Sequence, residues 1–172
     1  MDLRAELLIT KPLQPGHEVA LSLLLTREIA SWYMDERIFK PSGLSDQQFN
    51  VLRILKGGPR EGYLVCEVKR RMISRNADVP RLVDRLARQG LVRRRSNPAD
   101  RRGTRIQITA KGMAMAEAIG SPHAEAIGRM AACFSEAERR TLVDLLERLR
   151  DRLRADMEAE STVPPAGGSA SR

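Results

Sequence analysis

The sequence predicts a mainly α-helical chain with one small β-hairpin, and three observations lead there. Apolar residues recur at helical spacing along most of the 172 residues. Gly, Pro and capping signals cut that pattern into segments of helix length. The period drops to two in one region only, between residues 91 and 109. An apolar share of 42% is enough for one core. No apolar run approaches the roughly 18–20 residues of a membrane span, and no membrane partner is expected. The opening Met1-Asp2-Leu3-Arg4-Ala5-Glu6 lacks the basic-then-apolar order of a secretory leader, so a cytoplasmic chain is expected.

Taken in order, residues 1–16 read as an N-terminal arm closed by Pro12, Pro15 and Gly16. A first long helix is expected over 18–39, with Val19, Leu23, Ile29, Trp32 and Tyr33 near one face and Lys40-Pro41-Ser42-Gly43 as its stop. Ser45 and Gln48 match a capping box, with Leu44 and Phe49 spaced as a hydrophobic staple. The helix they start carries Phe49, Leu52 and Leu55 and halts at Gly57-Gly58-Pro59. A short helix follows from about Leu64 to Met72, then a tight turn at Ile73-Ser74-Arg75. The next helix must start near Asn76 to Asp78, because Pro80 is tolerated only in a first turn. Its Val79, Leu82, Val83 and Leu86 form a buried stripe. Ala77, Pro80, Arg81, Asp84, Arg85 and Arg88 are assigned to the opposite face. Two short strands, 91–95 and 105–109, flank the turn-rich loop Ser96-Asn97-Pro98-Ala99-Asp100-Arg101-Arg102-Gly103. Thr109 caps a further helix, kinked at Gly120-Ser121-Pro122. Ser135 and Glu138 form a second capping box, which opens a last helix with Leu142, Leu145, Leu146, Leu149 and Leu153 on one stripe. The Ser-, Pro- and Gly-rich residues 161–172 are expected to be disordered.

The charge is concentrated. Residues 69–105 hold thirteen of the thirty Lys and Arg but only three of the twenty-two acids, a net +10 in a chain of net +8. Arginine dominates the segment, and its planar fork suits phosphate and guanine edges. This is the footprint of a polyanion-binding surface. The order helix, helix, turn, helix, hairpin, with the basic face on the last two elements, is a winged helix-turn-helix. Such a unit lays a helix in the major groove of double-stranded DNA and reaches the minor groove with the hairpin.

The stretch from Arg75 through Leu91-Val92-Arg93-Arg94 resembles the recognition helix of the multiple-antibiotic-resistance regulator (MarR) family. Asn97-Pro98-Ala99-Asp100-Arg101-Arg102-Gly103 resembles its wing, with the family's Asp-x-Arg pair at Asp100 and Arg102. Ile106-Gln107-Ile108-Thr109-Ala110-Lys111-Gly112 resembles its strand-to-helix exit, with Ile108 where the family usually has Leu. The resemblance implies an arm (1–16), a dimerisation helix (17–43), a winged helix-turn-helix DNA-binding domain (44–112), C-terminal dimerisation helices (113–160) and a tail. It also implies a homodimer on a pseudo-palindromic operator, acting as a repressor and released by a small, often aromatic effector. The Leu142–Leu153 stripe and the apolar first helix, both outside the DNA-reading unit, support a homodimer independently.

On this reading Arg75, Asn76, Ala77, Pro80, Arg81 and Arg85 meet DNA from the recognition helix and its approach. Arg94 and Arg95 grip phosphate. Asp100 holds the wing while Arg101 or Arg102 enters the minor groove. Asp84, which repels phosphate, is expected to orient Arg81 or Arg88. The resemblance places an effector cleft between the first helix, the Phe49 helix and the Thr109 helix, with Arg27, Trp32, Tyr33, Phe49 and Met113 as candidate ligand contacts. Core packing is the competing role for each. Cys66 and Cys133 are expected to be buried, inert thiols. His17 and His123 stand apart, so no metal and no cofactor are expected. No Ser-His-Asp set, phosphate loop or zinc motif suggests an enzyme. An architectural DNA-binding protein without a ligand is the alternative. RNA binding would call for stacking aromatics, which make up only 3% of the chain.

Overall fold

A computed structural model describes the backbone of residues 2–97 and 100–162 and the side chains of residues 2–96 and 104–159. The expected wing contacts Asp100, Arg101 and Arg102 therefore lie outside the described side chains, and residues 163–172 of the expected tail lie outside the described residues altogether. The chain divides into two compact units, Met1–Ala126 and Ile127–Arg172. Helices α1 (Leu3–Glu6), α2 (Pro15–Met34), α3 (Lys40–Ser42), α4 (Asp46–Lys56), α5 (Val65–Arg71) and α6 (Val79–Arg88) belong to the first. So do strands β1 (Tyr63–Leu64), β2 (Val92–Asn97) and β3 (Asp100–Ile108). Helix α7 (Ala110–Ala131) crosses the boundary, and α8 (Glu136–Thr162) lies in the second unit.

The expected first helix is longer than its pattern suggested. A wide π turn, Asp35–Phe39, joins α2 to α3 without a break, and Gly43 at φ 70° ends the run. Pro41 accounts for the wide turn. It has no N–H to donate, and its ring crowds the carbonyl four residues back. Helix α4 starts as expected, with Gln48 N–H donating to the Ser45 hydroxyl at 3.2 Å and Ser45 N–H donating to the Gln48 side chain at 3.0 Å. Leu44 and Phe49 are both buried. The same box recurs in the second unit, where Ser135 N–H donates to the Glu138 carboxylate at 2.7 Å and opens α8.

The expected hairpin is a three-stranded antiparallel sheet in the order β1-β3-β2. The two-residue β1 pairs Tyr63 with Ile106 and Leu64 with Arg105. Strands β2 and β3 run from Val92↔Ile108 to Ser96↔Thr104, and after an irregularity Asn97 pairs with Asp100. Most of the expected loop is thus strand. Helix α7 runs on through Pro122, the position of the expected kink, without a break in the helix. The carbonyl deprived of a partner belongs to Ala118, an exposed position where water can meet it.

The core of the first unit gathers Leu52 and Leu55 of α4, Val68 of α5, and the full α6 stripe Val79, Leu82, Val83 and Leu86. Leu91, Val92, Ile106 and Ala116 close it. One junction holds these elements in place. Thr109 Oγ1 donates to the Gly90 carbonyl at 2.7 Å and accepts from Gly112 N–H at 3.0 Å, while Thr109 N–H donates to the Leu91 carbonyl at 3.0 Å. A Cβ on Gly112 would stand 2.0 Å from that same carbonyl. Replacing Gly112 with Ala should therefore destabilise the fold by about 1–3 kcal/mol, the usual range for overpacking. The check is the midpoint of urea denaturation, with Gly128→Ala, where a Cβ meets open space, as the control.

Candidate nucleic-acid interface

Helix α6 is built by local rules. The Asp78 carboxylate accepts from Arg81 N–H at 3.1 Å, capping the helix, and Pro80 sits in the first turn. Gly90, at φ 72°, takes the left-handed conformation just past its end. With the apolar stripe inward, Pro80, Arg81, Asp84, Arg85 and Arg88 are exposed together, and Arg75 and Asn76 are exposed just before them. Ala77 departs from its assigned place. It is only 5% exposed and belongs to the core. Its N–H donates to the Ser74 carbonyl at 3.3 Å in the turn before the helix, and that turn rolls its methyl inward. It offers no side chain to a base edge.

The hairpin register sorts the basic residues of β2. Paired residues share a face, so Arg94, opposite the buried Ile106, lies on the face that packs on the core. Arg93 and Arg95 lie on the other face, opposite Gln107 and Arg105. Arg94 and Arg95 are not brought together. Arg95 is exposed, with a like charge across the strand at Arg105, whose guanidinium donates to the Gly62 carbonyl at 2.8 Å. Like charges directly opposite each other cost stability in water, and a polyanion would relieve that cost. Arg94 is engaged with Asp84, Nη2 to Oδ1 at 2.6 Å. Asp84 therefore pairs across to the sheet, in place of the expected pairing with Arg81 or Arg88 on its own helix. Strand and helix are close enough there for the longer reach to win.

Both cysteines are exposed in this chain, against expectation. Cys66 lies in the first turn of α5, whose inward position is taken by Val68. Among the described residues, no group of three His, Cys, Asp or Glu is placed to hold a metal ion.

The second feature of the first unit is a cavity of about 410 Å³ between α4 and α7, lined by Phe49, Arg53, Lys56, Gly57, Ala116, Gly120 and His123. Of the five candidate ligand residues, only Phe49 lines it. Arg27 is exposed and pairs with Glu28 at 2.5 Å. Trp32 is 65% exposed on α2. Tyr33 packs against the core, and Met113 is half-buried. Sequence reasoning missed Arg53, Lys56 and His123, although a signal was present. Phe49, Arg53 and Lys56 follow the i, i+4, i+7 spacing on α4, as do Ala116, Gly120 and His123 on α7. The His123 ring lies tilted against two phenyl rings, its centroid 4.9 Å from that of Phe49 and 6.1 Å from that of Phe39. Burial, together with the nearby Arg53 cation, holds its imidazole below the usual histidine range, and Asp46 pulls weakly the other way. Burial and Asp35 hold the Asp46 carboxyl above the usual carboxylate range.

The model of the MarR family matches residues 42–103. The chain is similar to the HTH-type transcriptional repressor YetL of Bacillus subtilis (strain 168), 30% identical over 118 residues, which cover 69% of this chain and 71% of YetL. Among solved structures, the fold is shared with the MepR–DNA complex of S. aureus at a TM-score of 0.70 and 18% identity, covering 82% of this chain and 99% of that one. It is also shared with the PcaV transcriptional regulator of Streptomyces coelicolor in complex with its natural ligand, at a TM-score of 0.68 and 19% identity, covering 83% and 98%. No described helix is long and apolar enough to cross a membrane.

The lowered His123 value sets a pH dependence. The unfolded chain binds its proton first as pH falls, so stability is full above about 6.5 and is lost as pH drops through the depressed folded value. Asp46, raised in the fold, acts with the opposite sign in the lower carboxylate range. The melting temperature should fall between about pH 7 and about pH 5.5. His123→Phe, which keeps a ring against Phe39 and Phe49, should flatten that fall in a thermal melt series.

Proposed function

This chain belongs to the MarR family of DNA-binding transcriptional regulators, and on that footing we propose that it works as a homodimeric, sequence-specific repressor released by a small effector. The observation that carries the reading is the division of α6: Val79, Leu82, Val83 and Leu86 are buried, while Arg81, Arg85 and Arg88 stand exposed on the reverse side. A helix seated this firmly by one face can enter a major groove with the other. Arg81 and Arg85 reach base edges or phosphate, Asn76 and Pro80 meet the groove at the helix start, and Arg75 and Arg95 grip the backbone. Asp100 shapes the wing, from which Arg101 or Arg102 enters the minor groove. The protein acts in the cytoplasm, on the nucleoid when bound, and catalyses no reaction.

The dimer reading rests on apolar surface that a single copy leaves open. Leu142, Val143, Leu145, Leu153 and Met157 of α8 are exposed, and a shallow groove of about 330 Å³ runs beside Phe134, Leu142 and Leu145. On α2, Val19, Leu24, Ile29 and Trp32 are exposed as well. Exposed apolar residues in such numbers mark contact surfaces. For the effector, the α4–α7 cavity offers a ring-sized apolar wall at Phe49 and Ala116 beside the cationic Arg53 and Lys56. That combination suits a small aromatic anion. PcaV, of the same fold, has been solved with its natural ligand.

Selection of genomic fragments by the purified protein at a stated salt concentration tests the reading. One pseudo-palindrome with half-sites about one helical turn apart is the expected result. Unrelated sequences held with equal affinity would instead identify an architectural protein. On the selected site, Arg81→Ala should cost about 1–3 kcal/mol and relax the preference at one base pair if Arg81 reads a base. A uniform loss over all sequences would leave it a phosphate contact.

A further inference from the structure

The proposed interface carries one residue of the wrong sign. Asp84 is the only acid within α6, and it lies on the face that also presents Pro80, Arg81 and Arg85. A carboxylate there repels phosphate, so its presence calls for a role. Its partner is fixed by the sheet register. Arg94 shares a strand face with Val92 and pairs across to Ile106, so its stem leaves β2 toward α6. Its Nη2 lies 2.6 Å from Asp84 Oδ1 and 3.5 Å from the Pro80 carbonyl, one helical turn earlier. A single guanidinium nitrogen thus meets α6 at both a side chain and a backbone carbonyl on its outer side. With Ala87 and Arg88 the pair lines a groove of about 580 Å³ between helix and strand. Both partners are about half exposed, so the pair adds little to stability. What it does fix is where one positive charge sits.

Resting on the DNA-binding reading above, we infer that Asp84 is a positioning residue that holds the Arg94 guanidinium on α6 and so withholds it from the phosphate backbone. Specificity follows from this arrangement. A free Arg94 would add one sequence-independent phosphate contact, raising affinity for every duplex alike. Pairing it with Asp84 removes that contact and leaves discrimination to the side chains that meet bases.

Salt dependence tests this directly, because each phosphate contact adds about 0.9 to the slope of log K against log salt on duplex DNA. The full-length protein is titrated with its selected operator and with a scrambled duplex of equal length. Asp84→Asn should steepen the slope on the scrambled duplex by about 0.9 and lower the operator-to-scrambled affinity ratio. The neutral pair Asp84→Asn with Arg94→Gln should return the wild-type slope. If Arg94 instead grips phosphate in the native protein, the double variant will be flatter than wild type by about 0.9, and the inference falls. It also falls if Asp84→Asn leaves the slope unchanged. A wild-type chain that binds neither duplex would overturn the DNA-binding reading itself, so the two failures are distinct. Thermal melts of each variant establish that it is folded before titration.

Discussion

The structure of the first unit depends on a junction of three backbone segments around Thr109. Its hydroxyl caps α7 and binds the Gly90 carbonyl at the end of α6, its N–H takes the Leu91 carbonyl at the start of β2, and the missing side chain of Gly112 lets α7 close onto that carbonyl. Lys111 Nζ adds a bond to the Gln89 carbonyl at 2.9 Å. This junction adds directional hydrogen bonds to the apolar packing that already joins α6 and the sheet to α7. With it, the exposed row on α6 and the hairpin hold one angle to each other and to the α4–α7 cavity. A shift of α7 would therefore be passed on to α6 through short hydrogen bonds, with little slack to absorb the movement.

Much of this was legible in the sequence, and the legible parts share a physical character. Ser45 with Gln48 and Ser135 with Glu138 are local hydrogen-bond devices that span four residues, and both formed as written. The α6 stripe is a local periodicity enforced by burial. The elements that were not legible depend on distant partners. Strand β1 is two residues long, too short to show a period, and exists because β3 offers it an edge. Ala77 is small enough to suit either side of a turn, and only the tertiary packing decides. Cys66 sits in an apolar stretch, but Val68 fills the inward position of its helix. The cavity needed two helices laid side by side before Phe49, Arg53 and His123 could be read as one site.

Charge placement follows a related division of labour. The net +10 of residues 69–105 is not spread evenly over a solvated surface. Arg105 is spent on the Gly62 carbonyl, Arg93 on Gln107 at 2.9 Å, and Arg71 lies over the Tyr63 ring at 4.2 Å. These bonds stiffen the sheet and its neighbours while keeping the local potential positive. The basic segment is thus both framework and surface, and counting its arginines overstates how many can reach a phosphate.

The π turn at Asp35–Phe39 has a geometric consequence for α2. A wide turn holds one residue more than the α-helical path it replaces, and each α-helical residue turns the chain by about 100°. Downstream, Ile38 and Phe39 are locked into the core. The π turn takes up that extra residue within its own circuit, so the side chains of α2 before it and of α3 after it keep the relation they would have in one unbroken α-helix. A natural deletion of Asp35, Glu36 or Arg37 would therefore close the segment to an ordinary α turn, leaving Ile38 and Phe39 in the core and Val19, Ile29 and Trp32 facing where they do now. Chain length can thus change by one in this five-residue segment, where elsewhere in the helix the same change would turn every upstream side chain by about 100°.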